Sequence, residues 1–268
     1  MSAGALSAQD EEAPPIGWFD TAELALFASE GNAEVQTISL RNTATRRWQG
    51  ASLEIAAGAV RAETTTTSRV AVGTASDFVI RESSESMLTA ENYFLRSRYD
   101  RELSKKLFWF AGLGWDRNEF AGINSRTAAF GGVGHVWQES KTTRLRTDYG
   151  ATVTDQADVS GENDSFGGLR LSYDYWRRLN PSTSFESALI FDGNIDETSD
   201  YRADIVNSIS ATLSERLALK VSLQLLYDNL PALGEVLVVQ GDFVTGERIL
   251  AELDSLDSIL TVSLVADL

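Results

Sequence analysis

Apolar and polar side chains alternate along much of this chain with a period of two residues. The clearest stretch is residues 217–227, where one face carries Leu217, Leu219, Val221, Leu223, Leu225 and Tyr227. An extended strand points successive side chains to opposite faces, so this pattern predicts β-strands. Helical periodicity is scarce, and we therefore predict an all-β fold.

About twelve strands are predicted, and they share this alternation. They lie near residues 18–29, 33–47, 51–62, 91–101, 106–118, 123–137, 142–155, 164–178, 183–193, 201–213, 216–228 and 256–268. Many exceed the ~9–11 residues that a tilted strand needs to cross a bilayer, whereas strands in soluble proteins more often have about five or six. Short turns alternate with longer polar loops, which is typical of an outer-membrane barrel. The pattern predicts a single up-and-down antiparallel transmembrane β-barrel.

The polar faces of these segments carry charges in mid-strand. In a soluble barrel such charges would lie in the core, where they are costly unless paired. In a membrane barrel they face a polar lumen while the apolar set faces lipid. Lys220 is one such residue, and the predicted lumen-lining set is Arg96, Arg98, Arg126, Arg144, Arg146, Arg170, Glu23, Glu54, Asp174 and Glu186.

Two roles for the lumen charges remain open at this point. The arginines could line a solute path and set its charge preference, or they could pair with the carboxylates and plug the lumen. Barrels of about eight strands are filled by side chains, whereas those of about sixteen or more hold channels. Twelve strands lie between these limits, so size does not decide.

Tryptophan positions are compatible with membrane interfaces. The six residues lie mainly toward segment ends, and they are Trp18, Trp48, Trp109, Trp115, Trp137 and Trp176. Barrels in outer membranes carry aromatic girdles at both interfaces. Packing anchors inside a fold are the alternative interpretation.

Composition excludes several function classes. The chain has 268 residues, no cysteine, one histidine and a formal net charge of -16. Disulfides and thiolate metal sites are therefore excluded, and a zinc site of the usual type is not expected. The acidic balance argues against nucleic acid as a partner. We expect no cofactor.

The first residues predict export. Ala5 to Ala8 form a small-residue stretch ahead of an acidic, proline-rich segment, which resembles the end of a secretory signal with cleavage after Ala8. We predict a signal-peptide remnant and flexible segment over residues 1–17 and a barrel domain over 18–268. The expected location is the outer membrane of a Gram-negative bacterium, reached through the periplasm. Expected partners are outer-membrane lipid, the barrel-assembly machinery, and small ions or solutes.

Three motifs suggest chemistry, each with a plainer interpretation. His135 would have to serve any Ser-His-Asp hydrolase, but an interfacial histidine is favoured, and we expect no enzyme activity. The spacing of Asp192, Asn194, Asp196 and Asp200 is similar to a calcium loop, yet the glycine and glutamate of that motif are missing. We favour an ordinary acidic loop there. The glycines of "AGLGW" and "GGVGH" lie inside strands, so we expect them to ease curvature or make room for bulky lumen side chains.

Several stretches resemble a known family. They are "GNAEVQTISL", "MLTAENYFLRSRYDRELSKKLFWFAGLGWDRNEFAG", "RTAAFGGVGHVW", "TLSERLALKVSLQLLYD" and "LDSILTVSLV". Together they resemble the salt-induced outer-membrane protein family of the YdiY type, a domain-of-unknown-function family of Gram-negative bacteria. The resemblance covers roughly residues 18–268 and implies an outer-membrane barrel of unestablished activity. Residues 64–86 and about 231–252 are longer than the family pattern and are predicted to extend two extracellular loops.

The sequence is compatible with two main functions. The first is a narrow passive, porin-like channel or an envelope protein for adaptation to salt or osmotic stress, where the stress link rests on the resemblance alone. The second is a closed structural or docking barrel that acts through its long loops. A lipid hydrolase and a soluble lipid-binding barrel are weaker alternatives. Both termini are expected in the periplasm, with the acidic loops outside.

Overall fold

A computed structural model describes residues 16–29, 33–74, 77–231, 233–240, 243–252 and 254–268. The predicted signal remnant and the turn at residues 30–32 therefore lie almost entirely outside the described residues. The strands are β1 (Gly17–Ser29), β2 (Ala33–Trp48), β3 (Ala51–Thr74), β4 (Asp77–Glu102), β5 (Leu107–Asn118), β6 (Ile123–Glu139), β7 (Thr143–Asp158), β8 (Asn163–Asn180), β9 (Thr183–Asn194), β10 (Tyr201–Ser214), β11 (Leu217–Asp228), β12 (Leu233–Gln240), β13 (Phe243–Glu252) and β14 (Leu256–Asp267). A 3-10 turn, Glu119–Ala121, joins β5 to β6.

Twelve of these strands close an antiparallel barrel in the order β1-β14-β11-β10-β9-β8-β7-β6-β5-β4-β3-β2. Each strand pairs with its neighbours in the chain, apart from the step from β11 to β14. Among the described residues, no helix is long and apolar enough to cross a membrane. The prediction of an all-β, up-and-down, single barrel of about twelve strands is confirmed.

The two long segments are hairpins, so their prediction as loops is wrong. β12 and β13 form a separate two-stranded sheet between β11 and β14. β3 and β4 continue pairing from Glu63 to Thr74, well past the last residue of β2 that pairs with β3. Threonines and other β-branched residues fill this extension, and hydroxyl pairs such as Thr65 with Ser86 (2.6 Å) support it. β-propensity therefore overrides the polar composition that predicted loops.

The two ends of the barrel differ in how their strands are connected. One end, here called the turn end, carries links of two to four residues, such as Gln49–Gly50 between β2 and β3 and Pro181–Ser182 between β8 and β9. The other, here called the loop end, carries the two hairpins. The β7–β8 link at the loop end is shorter than predicted, because β7 continues to Asp158 and β8 begins at Asn163. The barrel wall is therefore longer there than the sequence pattern indicated.

The outward face is apolar over the strands and aromatic near both ends. Five tryptophans share the register of exposed outward residues, whereas Trp176 shares the inward register of Arg144 and Glu186. Near the turn end, Trp48, Tyr99 and Trp109 form a chain of rings with centroids 6.5 and 5.4 Å apart. Phe191, Tyr201 and Tyr227 form a second chain of rings nearer the loop end, with centroids 5.8 and 6.0 Å apart. This arrangement is that of interfacial girdles, with Trp176 as the exception.

Candidate functional site

The register of the strands places every predicted lumen residue on the inward face. Side chains on that face also meet between strands that are not neighbours, because β4 residues contact β7 residues although two strands lie between them along the wall. The interior is consequently a network of charges and aromatic rings. It has three parts, which lie near the turn end, nearer the loop end, and at the seam between β1 and β14.

The first part, the turn-end network, joins β4 to β7. Arg98 donates to Asp148 at 2.6 Å and to Asp100 at 2.7 Å, and Arg146 donates to Asp100 at 2.8 Å. Asp148 is only 7% exposed and also accepts from Ser172. Charge-assisted bonds of this length are the strong ones in proteins. The network therefore ties β4 to β7 across the inner face of the two strands between them.

A polar cavity of about 260 Å³ lies against this network. Its walls include residues of β2 and β3 as well as the network itself, and the lining set is Thr45, Arg47, Ser52, Glu54, Arg98, Asp100, Arg144, Arg146, Asp148 and Asp174. Arg144 adds a pair with Asp174 at 2.9 Å. A cavity of this size and polarity can hold several waters. It forms a polar vestibule that ends at the ion pairs bridging β4 and β7.

Phenylalanine rings fill the lumen beside the network. The guanidinium of Arg146 lies 4.2 Å from the centre of the Phe108 ring, and that of Arg98 lies 4.4 Å from Phe110. Phe110 is 2% exposed. Cation–π contacts of this kind are strongest where water is excluded. The rings therefore fill part of the lumen and also fix the arginine side chains through these contacts.

Glycines make room for these rings, as the sequence predicted. A Cβ at Gly134 would overlap the Phe108 ring, and a Cβ at Gly112 would overlap the Phe130 ring. Both glycines belong to the "AGLGW" and "GGVGH" stretches. Their inward position on β5 and β6 lets aromatic side chains of the neighbouring strand lie flat against the wall.

The second part, the loop-end network, involves β5 to β11. Arg170 donates twice to Asp192, at 2.7 Å each, and its guanidinium lies 4.4 Å from the Phe130 ring. Arg126 faces Asp116 at 3.3 Å. A two-bond arginine–carboxylate pair fixes both side chains. This network therefore lines the inner wall nearer the loop end with pairs between neighbouring strands.

The third part is a single ion pair, here called the seam pair. The Lys220 ammonium donates to the Glu23 carboxylate at 2.9 Å. Lys220 lies on β11 and Glu23 on β1, so the bond passes across β14. Both side chains are largely buried.

Three predicted lumen residues take no part in ion pairs within the described chain. Arg96 lies over the Phe94 ring at 5.3 Å instead. Glu54 faces the vestibule, and no cation comes within 4.0 Å of it or of Glu186 among the described residues. The sequence therefore identified a set of inward charges but not all of their partners.

A family match accompanies this geometry. Residues 22–238 match the family described as "Protein of unknown function, DUF481". This chain belongs to the DUF481 family. The predicted membership in a family of unknown function is confirmed, and no sequence among the curated proteins matches the chain.

Solved membrane barrels align with this DUF481 chain at low identity. An outer-membrane channel from Pseudomonas putida F1 is 11% identical over 98% of this chain and 100% of the other, with a TM-score of 0.47. The NanC porin is 10% identical over 93% of this chain and 98% of the other, with a TM-score of 0.45. The translocator domain of the autotransporter NalP from Neisseria meningitidis is 5% identical over 96% and 89%, with a TM-score of 0.45. None of these likenesses carries a function over to the DUF481 chain.

The residues with calcium-loop spacing serve other bonds in this DUF481 barrel. Asp192 is the partner of Arg170, and the Asn194 side chain donates to Asp200 at 2.9 Å. The side-chain amide oxygen of Asn194 accepts a hydrogen bond from the backbone N–H of Asp196 at 2.9 Å, which makes a local turn. Among the described residues, no group of three or more histidine, cysteine or acidic side chains could hold a metal ion.

His135 lies on the outward face of β6. Its ring packs edge-on against Trp137, with centroids 4.5 Å apart, and Trp137 donates to Thr147 at 2.8 Å. The residue is thus part of the aromatic outer surface near the turn end. It faces away from the charged lumen.

Several interior residues were not predicted from the sequence. They are four aspartates that pair with arginines, Asp100, Asp116, Asp148 and Asp228, together with Arg202, which donates to Asp228 at 2.6 Å and to Gln156 at 2.9 Å. Two of the missed aspartates have the strand parity of a residue that was predicted: Asp100 follows Arg98 by two positions, and Asp148 follows Arg146 by two. Applying the alternation to every inward position would have found them.

Proposed function

We propose that this chain is an outer-membrane β-barrel that forms a narrow passive channel for small ions. Only closed barrels and helices satisfy their backbone hydrogen bonds in lipid, and a closed barrel with an apolar outer face and a charged interior is typical of outer membranes. In the proposed orientation both termini and the turn end face the periplasm. The two hairpins at the loop end extend outside the cell.

The observation that carries the channel proposal is the polar vestibule ending at the turn-end network. Ions entering from the turn end meet water and charged side chains throughout the vestibule. In this proposal the ion pairs of Arg98 and Arg146, which project from the inner wall and bridge β4 to β7, form the constriction. Such a constriction passes small ions and excludes larger solutes. Low unit conductance is the expected consequence.

A planar-bilayer recording tests this proposal. The double variant Arg98→Ala with Asp148→Ala removes one pair without leaving a buried charge unpaired, so its unit conductance should rise several-fold over the wild type. The control is Arg61→Ala with Glu91→Ala, which removes a pair 3.6 Å apart on the more exposed part of the β3–β4 hairpin. That control should leave the conductance unchanged.

Ion preference gives a second readout of the same recordings. Replacing Arg98 and Arg146 together by alanine leaves Asp100 and Asp148 as the charges of the constriction, so preference should shift toward cations. Current with unchanged preference would place the ion path elsewhere in the barrel.

A closed barrel is the second candidate function. It is favoured by the burial of inward side chains such as Phe108, Phe110 and Thr152, which fill much of the lumen beside the constriction. Such a barrel would act through the β3–β4 and β12–β13 hairpins. Absence of conductance steps in both the wild type and the double variant, for a correctly folded protein, would favour this candidate. A part in adaptation to salt or osmotic stress stays a prediction, and growth of a deletion strain at high salt measures it.

A further inference from the structure

The ladder that closes the barrel is much shorter than the others. β1 and β14 pair only from Thr21 opposite Asp267 to Leu24 opposite Leu264, with one further bond from the Leu268 amide to the Asp20 carbonyl. Every other pair of neighbouring barrel strands shares at least eleven paired residues. The closing seam is thus distinct from the rest of the wall.

Above Leu24 the two strands continue without pairing to each other. β1 stays paired with β2 as far as Ser29, and β14 is paired with β11 from Leu256 onward. Residues 25–29 of β1 and 259–263 of β14, all within the described chain, therefore face each other as two free edges. The five residues of β1 span roughly 17 Å at about 3.3 Å each. This region, from Leu24 and Leu264 to the loop end, is here called the seam gap.

The seam gap lies within the apolar part of the outer surface. Its outward residues are Leu26, Val262 and Leu260, of which Leu260 is 72% exposed. Phe27 has inward parity yet is 58% exposed, which places the ring at an opening rather than in packed interior. Free strand edges are not tolerated against lipid unless they line a cavity that satisfies their polar groups. The unpaired edges are therefore compatible with lipid only if the gap opens onto the lumen.

The closed end of the gap is polar and cationic on its lumen side. The seam pair of Lys220 and Glu23 lies there, since Glu23 is the penultimate β1 residue in the ladder. Arg41 lies opposite Glu23 on β2 with its guanidinium over the Phe94 ring at 5.5 Å, so this side of the seam carries two cations and one carboxylate, and only Lys220 is bonded to Glu23. Ser263, opposite Lys220, is 3% exposed, and its hydroxyl has no hydrogen-bond partner among the described residues. These groups match an anionic head that also accepts or donates a hydrogen bond.

We propose that the seam gap is a lateral opening that admits a single-chain anionic amphiphile of the fatty-acid type from the outer leaflet. Its carboxylate would lie near Lys220, Arg41 and Ser263, and its alkyl chain would leave the lumen between β1 and β14. The length of the free edges accommodates such a chain along the wall. This activity is separate from ion conduction through the turn-end network.

Cysteine cross-linking tests the opening itself. The chain has no cysteine, so introduced pairs are unique. The control pair, Ala22→Cys with Ala266→Cys, lies at directly opposite positions in the ladder and should oxidise to a disulfide. The test pair, Leu26→Cys with Val262→Cys, would be opposite only if the ladder continued. It should resist oxidation but accept a long bismaleimide cross-linker. Oxidation as complete as in the control would overturn the proposal.

Photolabelling tests the ligand. A palmitic acid carrying a diazirine near its carboxyl end is added to the folded protein in lipid nanodiscs, and labelled peptides are mapped. Entry into the gap should label the inward residues Phe27, Ile259 and Thr261 and the residues around Lys220. Labelling should be lost when the test pair is cross-linked. Labels confined to outward residues such as Leu260 would mean contact with the lipid surface only and would refute the proposal.

A matched lipid probe separates entry from general lipid contact. A phosphatidylcholine with a diazirine in one of its two chains should label only outward residues, because its zwitterionic head does not match the cationic cluster. Equal labelling of the inward residues by both probes would contradict the proposed preference for a single-chain anion. Heat-dependent gel mobility verifies that each variant is folded before labelling.

Discussion

The wall from β4 to β8 and the seam between β1 and β14 close the same barrel in different ways. The wall has long ladders, arginine–carboxylate pairs that bridge strands β4 and β7, and phenylalanines packed onto glycines. The seam has four ladder pairs and one ion pair. The difference indicates that rigidity is concentrated on one side of the barrel. The other side is the place where the wall can part.

The largest expected effect comes from breaking the turn-end network. Arg98→Ala leaves Asp148 nearly buried without its cation, and loss of one partner of a buried pair costs about 3–5 kcal/mol. We expect a loss of roughly 3 kcal/mol in the free energy of unfolding. Urea titration of the protein in lipid vesicles, followed by tryptophan fluorescence, measures it.

A control on the same chain separates burial from charge. Arg61→Ala removes an arginine whose side chain is 57% exposed on the β3–β4 hairpin, so the loss should be under about 1 kcal/mol. Equal losses for the two variants would mean that the turn-end network does not stiffen the wall.

A smaller effect is expected from filling the space beneath a ring. Gly112→Ala would bring a Cβ into both the Phe130 ring and the Ser97 carbonyl oxygen, and the backbone contact cannot be relieved by rotating a side chain. Overpacking of this kind costs about 1–3 kcal/mol. The matched control is Gly114→Ala on the same strand and face, where the nearest atom is 3.9 Å away. Similar unfolding midpoints for both variants would contradict the glycine–ring packing.

Much of the barrel could be predicted because its signal is local. Alternation of Leu217 to Tyr227 predicts a strand without knowledge of any other strand, and the same rule fixed the inward position of Arg98 and Arg146. The hairpin of residues 63–74 and 77–88 escapes this rule, because its polar threonines and serines indicate a loop. Their β-propensity, supported by cross-strand hydroxyl bonds, decides the structure.

The remaining features depend on contacts between distant parts of the chain. Asp148 and Arg98 are 50 residues apart, and nothing local to either indicates the bond. The seam is harder still, because β14 alternates up to its last residues as a fully paired strand would. Only the register between the first and last strands shows that pairing stops at Leu24 and Leu264. Strand identity is encoded locally, whereas closure is a property of the whole barrel.

The smallest effect on global stability is expected at the seam, where local opening should change most. Lys220→Met removes the ammonium of the seam pair. Arg41, which lies opposite Glu23 on β2, is exposed and has its guanidinium over the Phe94 ring, so we expect it to turn toward the freed carboxylate and limit the loss. The loss in the free energy of unfolding should be about 1 kcal/mol, since the rest of the wall is untouched. Local opening of the four-residue ladder, however, depends directly on this pair.

Hydrogen exchange resolves that local opening. Amides of residues 21–24 and 264–267 should exchange roughly tenfold faster in Lys220→Met, because a loss of about 1.4 kcal/mol in a local closing equilibrium is a factor of ten. Amides of β5 to β7 should exchange at the wild-type rate. Lys220→Arg keeps a cation near Glu23 and should restore most of the protection. If β5 to β7 lost protection together with the seam, the barrel would open as one unit, and the contrast between wall and seam would be wrong.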